Sequence, residues 1–297
     1  MRFLLSEDQE ALRDGIGNLC SGRFPMERVR AGLDPEGWKE LAAAGVFTLG
    51  ELGGMADAAV VFEELGRALV PGPLVWGYLA GSDEIVTGYD PATGVVEHLD
   101  HTTAVYVLGD VAVERVEPDA LTVTPVDRPL DPLTPIWRVE GTSRGEPAGD
   151  ADEWRLKGAV LVAAQLTGIA GAVTELAVAY AKERRQFDKP IGAFQAVKHL
   201  CADMLARTEL ARATVHAGAV TLDDDQTGDA ATRRAVHAAK VVAGDAAVAN
   251  AKTCIQVHGG MGFTWEVDAH LYLKRAWILD RWFGTAGDHA TSLGGTR

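Results

Sequence analysis

One long apolar stretch, residues 158–181, most constrains what this chain can fold into. It has the sequence GAVLVAAQLTGIAGAVTELAVAYA, which is long enough to cross a bilayer as a helix. Polar residues interrupt it at Gln165, Thr167, Thr174 and Glu175, and no basic residues flank it in the manner of a membrane span. A helix that is apolar on all sides is otherwise typical of a protein interior. We therefore predict a buried bundle helix and no membrane partner.

The same helical periodicity continues to the C-terminus. Turn-forming stretches (DKPIG, DDDQTGD and GGMGFTW) interrupt it. The predicted helices cover residues 155–184, 192–221, 228–257 and 266–281. Four long antiparallel helices with an Ala-rich interior form a bundle, so residues 151–297 are predicted to be a C-terminal helical bundle.

In the first half of the chain, the sequence pattern changes from helical to strand-like near residue 75. Residues 1–75 contain amphipathic runs with helix start signals, including Ser6 before acidic residues and Pro35 ahead of a run that stops at Gly45. Residues 76–150 contain short β-branched runs separated by Asp, Pro and Gly, which predict short strands. The polar, Gly-rich stretch 140–153 is predicted to be a linker. The expected fold is mainly α, with an N-terminal helical domain, a reduced middle β-domain and the bundle.

Composition excludes several classes of function. The formal net charge of −14 argues against a nucleic-acid partner, because such proteins concentrate Lys and Arg. The cysteines form no metal-binding pair, the histidines lack ligand spacing, and the N-terminus does not resemble a signal peptide. We expect no metal and a cytoplasmic location.

Residues 182–204 (KERRQFDKPIGAFQAVKHLCADM) contain the first candidate site. Arg184 and Arg185 close one helix, Phe187 follows, and Gln195 lies early on the next helix. An arginine fork beside an aromatic ring and a helix N-terminus suits a pyrophosphate attached to a flat ring system. The same residues also fit an ordinary helix hairpin whose basic last turn complements the helix dipole.

Residues 254–265 (CIQVHGGMGFTW) contain the second candidate site. Gln256 and His258 offer hydrogen-bonding groups just before a run of glycines that lets a ligand approach the backbone closely. A glycine after a helix is also the commonest stop signal, so this stretch alone is weak evidence.

Together, in this order and about seventy residues apart, the two stretches resemble the C-terminal domain of the acyl-CoA dehydrogenase family. The resemblance continues through HLYLKRAWILDRWFGT and is visible earlier in GWKELAAAGV and EELGRALVPGPL. It implies a flavoprotein that desaturates an acyl-CoA thioester between its α and β carbons, with FAD as cofactor. Such enzymes are typically dimers of dimers in which the neighbouring subunit reaches across to each flavin. The residues implied to reach across are Arg184, Gln186, Phe187, Gln195, Gln256, Val257, His258, Gly259 and Gly260.

The chain departs from the family at the catalytic base. The usual base, a Glu just before Gly-Thr, corresponds to Phe283, and the alternative position on the preceding helix corresponds to Gly158. Neither residue can accept a proton, so no catalytic residue is assigned. The middle segment also lacks the family's flavin-facing Glu-Pro turn and Trp-x-Thr stretch, since Trp137 has no hydroxyl residue two positions later.

The resemblance therefore implies the smaller, non-catalytic subunit of a heterotetrameric (α2β2) acyl-CoA dehydrogenase of the actinobacterial sterol side-chain type. A full-length sister subunit would supply the base and bind the acyl-CoA substrate. Two alternatives remain open. The first is a self-sufficient dehydrogenase with a displaced base at Asp152, Glu153 or Asp288, and the second is a flavin-free scaffold.

Overall fold

A computed structural model describes residues 4–224 and 226–295. In chain order, a group of helices is followed by a β-sheet and then by a second group of helices. The first group is formed by α1 (Glu7–Arg23), α2 (Met26–Arg30), α3 (Pro35–Ala43), α4 (Leu49–Leu52), α5 (Met55–Arg67) and α6 (Leu74–Ala80). Because α6 continues to Ala80, it crosses the boundary predicted at residue 75.

The predicted start signals of the N-terminal helices are confirmed. Ser6 Oγ accepts a hydrogen bond from the Gln9 amide at 3.2 Å, and Gln9 Oε1 accepts one from the Ser6 amide at 3.0 Å, which forms a capping box. Helix α3 begins at Pro35, and the chain leaves it through Gly45, whose φ is +77°. These caps satisfy backbone groups that a helix end would otherwise leave unpaired.

The middle of the chain forms one seven-stranded sheet. Its strands are β1 (Val86–Tyr89), β2 (Val95–Glu97), β3 (Ala104–Leu108), β4 (Ala112–Val116), β5 (Leu121–Pro125), β6 (Ile136–Thr142) and β7 (Glu146–Asp150). The order across the sheet is β5-β6-β2-β1-β3-β4-β7, and the β1–β3 pair is parallel while the other pairs are antiparallel.

The prediction of a linker at residues 140–153 is wrong. This stretch completes β6, forms β7 and enters the next helix. All five residues of β7 are exposed at the edge of the sheet, which explains the polar composition. At Gly149 an added Cβ would lie 2.8 Å from Nε1 of Trp154, so the glycine gives the indole room against the strand.

The four predicted bundle helices are confirmed, with bounds that differ by a few residues. They are α7 (Ala151–Glu183), α8 (Gln195–Leu222), α9 (Asp229–His258) and α10 (Ala269–Arg281). Two short strands, β8 (Arg185–Gln186) and β9 (Lys189–Pro190), connect α7 to α8. A final helix, α11 (Ala286–Gly295), follows and was not predicted.

Helix α7 contains the apolar stretch and is the central, mostly buried helix of the fold. By length and composition alone it could cross a membrane, but 89% of its most apolar part is buried within the protein. Helix α5 crosses it at two glycines. An added Cβ at Gly66 would lie 2.2 Å from the Gln165 carbonyl oxygen, and one at Gly168 would lie 1.9 Å from the Glu63 carbonyl oxygen. Backbone contact at this crossing therefore joins the N-terminal helices to the bundle.

Candidate functional site

The first predicted stretch forms an exposed hairpin beyond the end of α7. Strands β8 and β9 pair through a two-residue turn at Phe187 and Asp188, whose φ angles are +51° and +64°. A turn with both central residues at positive φ normally favours Gly or Asn, and strained conformations of this kind cluster at functional sites. The Phe187 ring is 84% exposed, so an apolar side chain stands at the tip of the hairpin.

Cationic and backbone donors lie beside this ring. The Arg184 side chain is exposed and forms no salt bridge with any residue in 4–224 or 226–295. Helix α8 begins at Gln195, and its N-cap residue, Phe194, provides no side-chain hydrogen bond. The first amide groups of this helix are therefore available to an anion, as is the guanidinium of Arg184.

The second predicted stretch ends α9. Gly259 has φ +62° and ψ −140°, a conformation accessible essentially only to glycine. Nothing lies within 4 Å of a Cβ built on Gly259 or on Gly260, and both residues are exposed, as is Gln256. The glycines therefore leave open space above the backbone rather than accommodating a neighbour within the chain.

The two stretches meet at the same end of the bundle. The Tyr180 ring in the last turn of α7 stacks on the His258 ring with centroids 4.2 Å apart. His258 is buried, and its Nδ1 lies 2.8 Å from the Cys254 carbonyl oxygen. Val257 is buried as well, so these two residues are placed to support the backbone of the turn. Arg184, Gln186, Phe187, Gln195, Gln256, Gly259 and Gly260 remain exposed.

The two positions predicted for the base meet at the other end of α7. The Phe283 ring, 5% exposed, lies over Gly158, where an added Cβ would stand 2.5 Å from two ring carbons. Its centroid lies 4.7 Å from that of Trp76, which in turn lies 6.3 Å from that of Trp154. These aromatic rings fill the space between α6, α7 and the turn after α10.

Buried polar groups fix the turn that carries Phe283. Lys240 is fully buried, and its Nζ donates to the carbonyls of Asp280 (2.9 Å) and Gly284 (2.7 Å). His289 Nε2 lies 2.9 Å from the Phe283 carbonyl and must donate to it, so its Nδ1 accepts from His237 Nδ1 at 2.7 Å. These bonds hold Phe283 at a φ of +56°.

Desolvation dominates the electrostatics of this cluster. Burial lowers the pKa of Lys240 to about 8 and that of His289 to about 4. The sequence analysis did not predict α11 or the buried Lys240–His289 cluster. The available signal for the helix was TAGD (285–288), because Thr285 Oγ1 accepts a hydrogen bond from the Asp288 amide at 3.1 Å, as a helix N-cap does.

The three acids considered as displaced bases have other partners. Asp152 accepts a hydrogen bond from Arg233 at 2.8 Å, and this bond lowers the pKa of Asp152. Glu153 pairs with Lys157 at 2.5 Å. Asp288 lines a surface cavity of about 310 Å³ with Phe283, but hydrogen bonds from Thr285 lower its pKa. Since a general base is most effective with a pKa near the working pH, the lowered values disfavour Asp152 and Asp288.

Helix α7 also separates the two regions. Gly158 and Arg184 are 26 positions apart in the sequence, which corresponds to about 39 Å along the helix axis. The predicted cofactor-contacting residues and the predicted base positions of one chain are therefore too far apart to act on the same reacting atoms.

Known proteins resemble the chain along nearly its whole length. Residues 156–292 match the acyl-CoA dehydrogenase C-terminal domain. The chain is 35% identical to acyl-CoA dehydrogenase IpdE2 of Mycolicibacterium smegmatis, over 92% of this chain and 93% of that protein. Its fold resembles a chain of the ChsE4-ChsE5 complex from Mycobacterium tuberculosis (TM-score 0.82, 20% identity, 99% and 98% of the two chains). It also resembles a chain of the Tcur3481-Tcur3483 steroid ACAD variant (TM-score 0.80, 21% identity, 97% of each chain).

The matched range 156–292 includes both C-terminal stretches described above. The chain belongs to the acyl-CoA dehydrogenase family, whose members are FAD-dependent oxidoreductases that act on CH–CH bonds.

Proposed function

We propose that this chain is the non-catalytic subunit of a cytoplasmic α2β2 acyl-CoA dehydrogenase. A full-length sister subunit binds the acyl-CoA and provides the base, and this chain completes the sister's FAD site. The substrate class is a steroid side-chain CoA thioester, by analogy with the steroid dehydrogenase that shares the fold. The pathway is therefore a branch of lipid metabolism.

The observation that carries this proposal is the contact between Phe283 and Gly158. Both positions at which the family places its base hold residues without a proton acceptor, and the Phe283 ring occupies the space between them. A thioester cannot enter a volume that packed rings already fill. The space between Gly158 and Phe283, which we call the chain's own cleft, therefore does not accommodate a flavin and its substrate.

The opposite end of α7 does fit part of a cofactor. The free guanidinium of Arg184 and the uncapped N-terminus of α8 are suited to bind the pyrophosphate of FAD. Phe187 offers an apolar surface, Gln186, Gln195 and Gln256 offer amides, and the Gly259–Gly260 backbone permits close approach. When bound, FAD supplies the acceptor for the hydrogen removed from the β carbon.

The two alternatives are less well supported. A self-sufficient enzyme needs a base beside an open cleft, and the candidate acids are hydrogen-bonded to Arg233, Lys157 or Thr285. A flavin-free scaffold would not need a strained, exposed aromatic at the tip of a hairpin beside a free arginine.

The decisive experiment is to purify the chain alone and together with a full-length acyl-CoA dehydrogenase from the same organism, and to measure FAD per chain. We expect little flavin and no activity for the chain alone. The complex should contain one FAD per heterodimer and be active. Purification of the chain alone as a yellow protein with about one FAD per chain would contradict the proposal. If the complex keeps its full flavin content when Arg184 is replaced, the flavin-free scaffold would be favoured.

A further inference from the structure

Exposed aromatic residues cluster just after the Gly-rich turn. Ten large apolar side chains are exposed in the described ranges, and four of them lie between residues 261 and 277. They are Met261 (39% exposed), Phe263 (79%), Trp265 (60%) and Trp277 (38%). Exposed apolar surface of this kind marks interaction sites in soluble proteins.

Two lysines cover the tryptophans. Lys274 Nζ lies 4.8 Å from the centroid of the Trp265 ring, and Lys252 Nζ lies 5.9 Å from that of Trp277. Neither lysine forms a salt bridge with another residue of the part of the chain that the structure describes. We call these six residues the aromatic–lysine surface. It presents two lysines on a chain whose net charge is −14, and the exposed Glu266 directly follows Trp265.

The loop that presents Trp265 is held in place. Arg30 on α2 donates to the Trp265 carbonyl at 2.9 Å and to Asp268 Oδ1 at 2.9 Å from Nε. The Trp265 ring meets the His270 ring edge to face, with centroids 4.7 Å apart. A surface that is ordered before binding loses little conformational entropy when a partner docks.

We propose that the aromatic–lysine surface is a docking site for the sister subunit, and that the facing surface of that subunit carries carboxylates. The surface continues the predicted cofactor-contacting region, because Lys252 lies one helical turn before Gln256 and Met261 directly follows Gly260. This inference rests on the proposed function, since it assigns a surface to the partner that the function requires.

A second copy of this chain is the less suitable occupant. A two-fold contact would place the surface on itself, so that Lys252 and Lys274 would face the same two lysines. Like charges brought together at an interface oppose association, whereas carboxylates would pair with both lysines. Tryptophan is enriched among the residues that dominate binding energy, so Trp265 and Trp277 are the expected anchors.

The test is the dissociation constant of the purified chain and its sister subunit, measured by biolayer interferometry. Trp265→Ala and Trp277→Ala should each weaken binding about 30-fold or more. The double change Lys252→Glu, Lys274→Glu should slow association and remove the weakening of binding by salt. Lys252→Arg with Lys274→Arg should bind like the unchanged chain, because arginine also stacks on tryptophan.

Matched controls come from the sheet. Val111 is 79% exposed, and Arg144 is 92% exposed beside Glu114. Val111→Ala and Arg144→Glu should leave the dissociation constant unchanged. Tryptophan variants that bind within about twofold of the unchanged chain would overturn the inference. Self-association of the isolated chain that Trp277→Ala abolishes would overturn it as well.

The flavin content separates this inference from the proposed function. At subunit concentrations high enough to restore the complex, Trp277→Ala should retain FAD, whereas Arg184→Ala should lose it with the complex intact. If the unchanged chains form no complex, or the chain alone holds its own FAD, the proposed function itself has failed.

Discussion

The two ends of α7 are built in opposite ways. At the Arg184 end, charged, aromatic and glycine residues are exposed, and the backbone adopts strained conformations. At the Gly158 end, where the base positions were predicted, Phe283, Trp76 and Trp154 pack together, and buried donors fix the turn that carries Phe283. The first end leaves polar and apolar groups accessible, whereas the second packs its aromatic rings against one another. This difference is what the proposed division of one FAD site between two subunits requires.

The largest expected effect comes from Phe283→Glu, which places a Glu at the predicted base position. The variant should lose at least about 3 kcal/mol of folding stability, because it removes a buried ring and places a carboxylate among apolar side chains. Burial should raise the pKa of the new carboxyl. Thermal unfolding of the complex and an assay of dehydrogenation are the measurements. We expect lower stability, no added activity and no second flavin per heterodimer.

A new active site with its own flavin in Phe283→Glu would mean that the Gly158 end can still open. Phe283→Leu is the matched control, since it shortens the side chain without introducing charge, and it should destabilise less.

Acid should weaken the Gly158 end selectively. The folded-state pKa of His289, about 4, lies below its ordinary value of 6.5, so the unfolded chain binds the proton first. This contribution to stability is complete above about pH 6.5 and falls by about 3 kcal/mol as the pH drops toward 4. His237, whose pKa is also lowered by burial, and Lys240 and Asp288 surround the ring.

The measurement is the free energy of unfolding of the chain at several pH values between 4 and 7, compared with His289→Gln. The Gln side chain can still donate to the Phe283 carbonyl but cannot titrate, so the variant should lose less stability in this range. Identical pH profiles would show that His289 does not control the turn.

At the other end of α7, Arg184→Ala should remove flavin from the complex. Loss of one charge-assisted contact to a pyrophosphate costs about 1.5–3 kcal/mol, which is roughly a 10- to 150-fold loss of affinity. FAD retention after gel filtration is the measurement, and folding stability should barely change because the side chain is exposed. Arg144→Ala, in the turn between β6 and β7, is an exposed-arginine control that should keep its flavin. A well-folded Arg184→Ala complex with normal flavin would show that Arg184 does not bind the cofactor.

The sequence predicted helices better than it predicted what fills the space between them. The bundle helices follow from apolar periodicity, which is local, and the Arg184 and Gly259 stretches are contiguous motifs. The contact of Phe283 with Gly158 and Trp76 joins three distant segments, so no local pattern encodes it. The edge strand β7 was missed because a solvent-exposed, Gly-rich strand has the composition of a linker.

The smallest expected change in stability is that of Gly158→Ala. It tests the packing at the Gly158 end sharply, because the sign of the change should reverse when the Phe283 ring is removed. In the middle of a helix, replacing Gly with Ala normally stabilises by up to about 1 kcal/mol. At Gly158 the added Cβ would lie 2.5 Å from the Phe283 ring, so the clash should outweigh this gain and leave Gly158→Ala destabilised by about 1–2 kcal/mol. When Phe283→Ala is already present, the obstacle is gone, and the same Gly158→Ala change should stabilise. A double-mutant cycle on unfolding free energies measures this coupling directly. If Gly158→Ala has the same sign in both backgrounds, the Phe283 ring does not occupy the space over Gly158, and the chain's own cleft is not closed by that ring.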